Sequence, residues 1–409
     1  MTDTYAEHAA AGIKRGQLLA ILIISTGIGI LAMNMVLPSL PGMAREFDAS
    51  YNAIQYVLTV FLFALAFAQL IYGSVSDRFG RRPVMIAGLA IFLLGGLICA
   101  IAWNLPMLLL GRLIQGAGGC AGLVLGRAIL RDLYDRDRAA SLLGYVTMSM
   151  VVAPMIGPAL GGAFEETLGW RAGVLALVLV GAGVLALVSL KLPETHFNRG
   201  ETSGFLPQIR SFAVLARNPL FLFYAAVMAC TSATFFGFIG GAPYIVIEVM
   251  GRSPGEFGLW AMSIAFGYMV GNFVTGRYAQ RVGTRRMMRY GVTICVVATI
   301  AMVALAAYGP STPIALFGPM MLVTFSNGLV MASAVTSSVS VRPDLAGAAA
   351  GFGGFLQIGT GAVATIFVGL AHDGTAIPLA VIILVFSVGA LAAYLAAVRY
   401  PDPTDAPSH

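Results

Sequence analysis

The chain has 409 residues, 58% hydrophobic and only 10% charged, with a mean hydropathy of +0.87. That balance is far from soluble averages and leaves no mixed polar stretch long enough for a soluble catalytic or nucleotide-binding domain. The net charge of +6 has no globular domain to present it, which argues against nucleic-acid binding.

A membrane-spanning helix needs about 20 mostly apolar residues to cross ~30 Å of hydrocarbon. Twelve segments qualify, at about 17–37, 51–72, 83–103, 107–129, 140–163, 171–190, 219–247, 256–279, 287–307, 313–339, 345–370 and 377–398. The expected fold class is an all-α polytopic membrane protein with 12 transmembrane helices. The first span follows Lys14-Arg15, is too long for a signal-peptide apolar region and lacks a small-residue cleavage site, so it reads as a retained helix. Of 24 Lys and Arg, only Arg112 is assigned to the inside of a span; Arg127, Arg171, Arg277 and Arg289 stand within a turn of a span end. With a cytoplasmic N-terminus, 20 of the others lie inside and three (Arg45, Arg171, Arg252) outside, as the positive-inside rule requires. Both termini are then cytoplasmic, and the basic face meets anionic lipid of the inner leaflet. No Asn-x-Ser/Thr sequon occurs, which fits a bacterial cell inner membrane.

Between spans two and three lies Gly73-Ser-Val-Ser-Asp-Arg-Phe-Gly-Arg-Arg82, a tight basic turn at the membrane surface. Gly73 is expected to permit close packing. Asp77 ends span two, where a carboxylate caps a helix or pairs with Arg78, Arg81 and Arg82 around Gly80; the alternative is a solvated loop charge. Span four carries Gly111-Arg-Leu-Ile-Gln-Gly-Ala-Gly118. An arginine within a span costs at least ~2.5–3.5 kcal/mol, so Arg112 should face a cavity or a partner, unless it snorkels to the nearby outer surface. Gln115 shares its turn. Span five reads Gly144 through Met148 to Pro154, Gly157, Pro158, Gly161 and Gly162. Gly-Pro pairs bend a helix, and the glycines admit a close neighbour.

The longest polar link, 191–218, separates a tail of 1–16 and a half of 17–190 from a half of 219–398 and a tail of 399–409. Gly73, Arg78, Gly80 and Arg82 recur 203 residues later as Gly276, Arg281, Gly283 and Arg285. Such an offset points to two six-helix bundles related by pseudo-symmetry. The four cysteines lie in spans and the four histidines in tails or links, with no metal-ligand spacing and no catalytic cluster. Neither Lys14 nor Lys191 sits in a phosphate-binding loop, so no cofactor is expected and the chain does not read as an enzyme.

These motifs resemble the major facilitator superfamily. The span 2–3 turn, the R-x-x-Q-G-x-G of Arg112, Gln115, Gly116 and Gly118, and the Gly-Pro-x-x-Gly-Gly of span five are shared with its drug/proton antiporters. Val36-Leu-Pro-Ser-Leu-Pro41, Gln69 to Gly73, Arg127 to Leu133, Gly169-Trp-Arg171 and Leu192-Pro-Glu-Thr195 resemble the bicyclomycin-resistance (Bcr/CflA) branch. The resemblance implies secondary transport by a monomer, with amphipathic small molecules and protons as partners and the proton gradient as energy source. It further implies that Asp77 and its arginines latch the inner gate, that Arg112 takes part in proton coupling, and that Gly144, Gly157, Pro158, Gly161 and Gly162 form an antiporter motif that seals against ion leak. The same branch usually has an aspartate where this chain has Asn34, which cannot carry a proton. Arg112 is expected to hydrogen-bond that amide. Proton coupling then falls to Arg112 with Glu248 or Asp77, or transport proceeds by exchange or facilitated diffusion of a metabolite, amino acid or peptide. Glu248 is expected to be the only other acid at membrane level, with a merely interfacial position as the alternative. Candidate cavity residues are Asn34, Gln115, Met148, Phe235, Phe236, Phe266, Asn327 and Gln357, aromatic and amide groups suited to lipophilic ligands.

Overall fold

The computed structural model describes residues 15–134, 136–196, 205–309 and 311–401, without the side chains of residues 15, 136, 137, 139–141, 148, 149, 205 and 206. Twelve long helices cross the apolar layer: α1 (Arg15–Met35), α2 (Tyr51–Phe79), α3 (Arg81–Ala100), α4 (Leu105–Leu133), α5 (Arg136–Thr167), α6 (Trp170–Lys191), α7 (Pro219–Tyr244), α8 (Pro254–Val282), α9 (Thr284–Tyr308), α10 (Pro313–Ser340), α11 (Ala346–Leu370) and α12 (Ile377–Ala397). We call the side bearing the α2–α3 and α8–α9 turns the arginine-rich face, and the other the arginine-poor face.

The two halves repeat one packing pattern. In the first, α1 packs on α4, α5 and α6, α2 on α4, and α3 on α4 and α6; in the second, α7 packs on α10, α11 and α12, α8 on α10, and α9 on α10 and α12. The halves meet along two seams, α2 with α11 and α5 with α8, which exchange under the same symmetry. Small residues make this packing close, because lipid gives helices no hydrophobic reason to associate. On α4, Gly118 abuts the α3 backbone at Phe92, Gly116 that of α2 at Phe61, and Gly122 that of α1 at Ser25. α3, α6, α9 and α12 are among the most apolar of the spans and lie outermost.

The repeat extends to single residues. Gly80 and Gly283 both adopt a left-handed backbone, φ 99° and 89°, and each ends one helix and begins the next within a single residue. Ser50 and Ser253 cap the N-termini of α2 and α8, accepting from Ala53 N and Glu256 N. Arg82 donates to Ser189 O in the last turn of α6, and Arg285 to Tyr400 O just beyond α12.

Three segments differ from expectation. The stretch after α1 is helical, as turns Leu37–Ser39 and Leu40–Glu46 that each begin with a proline at an allowed early position. α5 runs on to Thr167, past the expected 163, and so brings Glu165 and Glu166 onto a transmembrane helix. The polar link contains a helix, Phe205–Ala216. Its Phe212 stacks on Phe352 of α11 and its Gln208 donates to Leu70 O of α2, so it straps both halves on the arginine-rich face.

Candidate functional site: the central cavity and its seals

A cavity of about 180 Å³ lies between the halves, lined by α1, α2, α4 and α5 on one side and by α7, α8, α10 and α11 on the other. Phe235 and Phe236 of α7 (edge to face, centroids 5.3 Å apart), Asn327 of α10 and Gln357 of α11 line it as the sequence suggests. Phe266 does not. Its neighbours Ile264, Ala265 and Tyr268 take the cavity face of α8, and the ~100° turn per residue leaves Phe266 51% exposed on the lipid side. Replacing Phe266 with Ala is expected to change stability by no more than about 0.5 kcal/mol and leave ligand binding intact, whereas Phe236→Ala removes cavity wall. Thermal melting and ligand titration of the two variants check this. The Met148 side chain lies outside the described residues.

Asn34 and Gln115 are buried but off this cavity. Asn34 donates to Ile30 O at 2.8 Å, and its Cβ sits against Gly157 of α5. Arg112 does not bond it. The guanidinium instead donates from Nη1 to Gln115 Oε1 (2.7 Å) and Ala32 O (3.3 Å) and from Nε to Val57 O (3.2 Å), with its carbon 4.2 Å from the Phe61 ring centroid. Arg112 is 2% exposed, its Nη2 has no partner, and no carboxylate pairs with it among the described residues. α4 places it inward because its flanking glycines occupy the helix contacts. Snorkelling is therefore ruled out, and so is a bond to Asn34.

The arginine-poor half is sealed across both seams. From α2, Gln55 Nε2 and Tyr51 OH both donate to Gly240 O of α7 (2.6 and 3.2 Å), and Thr59 Oγ1 meets Thr365 Oγ1 of α11 at 2.6 Å. Pro243 removes one backbone donor from the end of α7, and a π-type turn, Ile245–Val249, follows it. The rings of Tyr51, Tyr244 and His372 pack together at 4.3–4.6 Å. Burial lowers the His372 pKa below its usual value, so this cluster is uncharged at neutral pH. Arg45 pairs with Glu248, and Glu166 Oε1 accepts from Gly255 N at the start of α8 (2.9 Å).

The span-five motif divides its labour. Gly157 and Gly161 let α1 approach at Asn34 and Met35, Gly162 faces Pro254 and Gly255 of α8, and the Pro158 carbonyl rests on Gly258. Gly144 has open space around it, as does Gly73, so neither serves close packing here.

On the arginine-rich face, Arg81 is the buried centre. It donates to Asp77 Oδ1 (2.5 Å), Asp132 Oδ2 (2.9 Å) and Ser76 Oγ (2.6 Å), while its backbone N–H donates to Glu194 Oε1 (2.9 Å). The Arg78 guanidinium lies over Phe79 and is exposed. These contacts tie α2, α3, α4 and the segment after α6, all within one half. Asp77, Arg112 and Glu248 are thus not assembled into one proton site. Asp77 lies at one face, Glu248 at the other, and Arg112 is buried inside the first half. Glu248 is also not alone as an acid at its level, since Glu165 and Glu166 end α5 nearby.

The profile described as Major Facilitator Superfamily matches residues 22–365. The chain belongs to this superfamily. Among its superfamily relatives, a bicyclomycin resistance protein homolog of Haemophilus influenzae is 27% identical over 89% of this chain and 92% of its own. Multidrug resistance protein D of Escherichia coli is 28% identical over 87% and 90%. The fold is shared with a solved bacterial homologue of the human lysosomal transporter Spinster, at a TM-score of 0.70, 16% identity and coverage of 95% of this chain and 98% of that one. Within this superfamily fold, sequence reading missed Asp132 and Glu194 as partners of Arg81, although both stand in the strings Arg127–Leu133 and Leu192–Thr195. Tyr51, Gln55 and Thr365 had no signal beyond being polar residues in apolar helices.

Proposed function

We propose that this superfamily member exports amphipathic small molecules by alternating access, using the cavity between its halves as the substrate site. The observation that carries this reading is that a mainly apolar cavity is walled by four helices of each pseudo-symmetric half, while the two seams beside it are built from the motif residues of α5 and the polar residues of α2. The names of the Haemophilus and Escherichia relatives support drug-like cargo. The arginine-rich face is cytoplasmic in this reading, with both termini inside and the bacterial inner membrane as the site of action. The protein works as a monomer, with the proton gradient driving export. Expression in an efflux-deficient bacterium, screened against a panel of amphipathic antibiotics, tests export; unchanged susceptibility to every compound rejects it.

Exchange without protons is favoured by a separate observation. No carboxylate lines the cavity among the described residues, and Asn34 stands where the branch this chain resembles usually has an aspartate. Uptake into proteoliposomes with and without an imposed pH gradient separates the two. Gradient-stimulated transport supports antiport, and gradient-independent transport selects exchange.

A further inference from the structure

The arginine-poor seal holds a carboxyl group that none of the motif residues engages. Glu165 lies one turn beyond Gly161 on α5, half-buried against the short helix Leu40–Glu46. Its Oε1 occupies the place a side chain at position 42 would take, so Gly42 makes its seat. Its Oε2 is buried without a hydrogen-bond partner. An ionised oxygen in that position is costly, and a neutral carboxylic acid escapes most of the cost.

The charged groups around it are already engaged. The Leu40–Glu46 helix presents Arg45 and Glu46 to Glu165, and the turn before it presents the buried Ser39. Glu46 is held by Arg171 and by Trp170 Nε1 (2.6 Å), both of α6. Arg45 reaches away, across the seam to Glu248 beyond α7 in the second half. On α5 itself, Glu166 crosses the same seam to Gly255 N (2.9 Å). Glu165 is left without an ion pair among the described residues. Arg45 stands three residues past Gly42, on the same face of its short helix, and is the cation whose field reaches Glu165. It therefore has two carboxyl groups within its compass, one in its own half and one across the seam. A nearby cation favours whichever of them is ionised.

We propose that Glu165 is the proton-responsive latch of this seal. Neutral, it leaves Arg45 to tie the halves through Glu248. Ionised, it draws Arg45 back into the first half, and the seam loses that tie. Protons thus close the arginine-poor face and their loss opens it. With that face outside, a proton taken up after substrate release closes the emptied carrier to the exterior, which is the order that antiport requires. This deepens the proton-driven reading and rests on it. His372, in the ring cluster of the other seam, has the opposite sign: burial disfavours its charged form, so acid weakens that cluster.

Pulsed electron–electron distance measurement between two nitroxides tests the latch on the full chain in phosphatidylcholine nanodiscs, with no gradient and no substrate. The labels are carried by Leu168→Cys, just beyond α5, and Tyr308→Cys, at the end of α9, both exposed at the arginine-poor face and one in each half. Cys99, Cys120, Cys230 and Cys295 are replaced first. The wild type is expected to move from a short, sealed distance at about pH 5 to a longer one at about pH 8, the open-to-sealed ratio rising at least about tenfold. Glu165→Gln, which stays neutral, should remain sealed throughout. Glu248→Gln removes the partner across the seam and should already be about tenfold more open at about pH 5. A wild type that ignores pH, a wild type that opens with acid, or a Glu165→Gln protein that keeps the wild-type response overturns the inference. If Glu165→Gln does not fold, Glu248→Gln decides it, and an unchanged distance distribution at acid pH counts against the latch. Gradient-independent transport by a protein that keeps this pH response counts against the proton-driven reading alone.

Discussion

Gly258→Leu is expected to unseal the arginine-poor face and abolish transport while both halves remain folded. A β-carbon at position 258 of α8 falls 2.5 Å from the Pro158 carbonyl oxygen and 2.8 Å from the Ala159 Cα, backbone atoms of α5 that cannot swing aside. The clash lies on the seam between halves, so the helix pairs inside each half are untouched. Overpacking of this kind costs about 1–3 kcal/mol, which moves the sealed-to-open equilibrium by a factor of about 5–150. Cys230 and the buried Cys99, Cys120 and Cys295 would first be replaced, and a cysteine then placed at Ala265 on the cavity wall. Its alkylation by a membrane-impermeant maleimide added from the arginine-poor side should accelerate by that factor. An unchanged rate would mean that the α5–α8 approach does not hold the seal.

Arg112→Met is expected to separate stability from transport. The guanidinium is held by two backbone carbonyls, Gln115 and the face of Phe61, with no carboxylate to offset the cost of taking it out of water. Keeping a single charge out of water costs roughly several kcal/mol, and an apolar side chain of similar length removes that cost. Melting in detergent should therefore stay level or rise. Gradient-driven transport should fall at least about tenfold, or about 1.4 kcal/mol, because a cation kept in an apolar layer against its own solvation serves function. A fall in melting temperature would instead make Arg112 a structural brace of α1, α2 and α4.

The architecture was legible because its signals are collective. Twelve apolar runs, the sided arginines and the glycine turns at 80 and 283 each depend on residue class and spacing, and membrane insertion reads those same quantities. The candidate site was less legible because cavity membership turns on helix rotation. Phe235 and Phe236 face inward and Phe266 outward, yet all three are phenylalanines in comparable apolar runs. Arg112 was correctly singled out as unusual, but its partners are backbone carbonyls, which carry no sequence signature. Asp77 was expected at a gate, and its pairing with Arg81 is local; the contribution of Asp132 depends on α4 packing beside α3.

The contrast between the outer and inner helices bears on how the chain is made. α3, α6, α9 and α12 are apolar enough to leave the translocation machinery on their own, whereas α4 carries a buried arginine and α8 is the least apolar span of the set. α4 packs most extensively on α3, and α10 on α9, the helix each follows directly out of the ribosome. Two helices of the central cavity, α4 and α10, thus enter the bilayer as the second leg of a hairpin whose first leg is already anchored. Lengthening the Ile101–Asn104 connection should therefore damage biogenesis at α4 before it damages the finished fold.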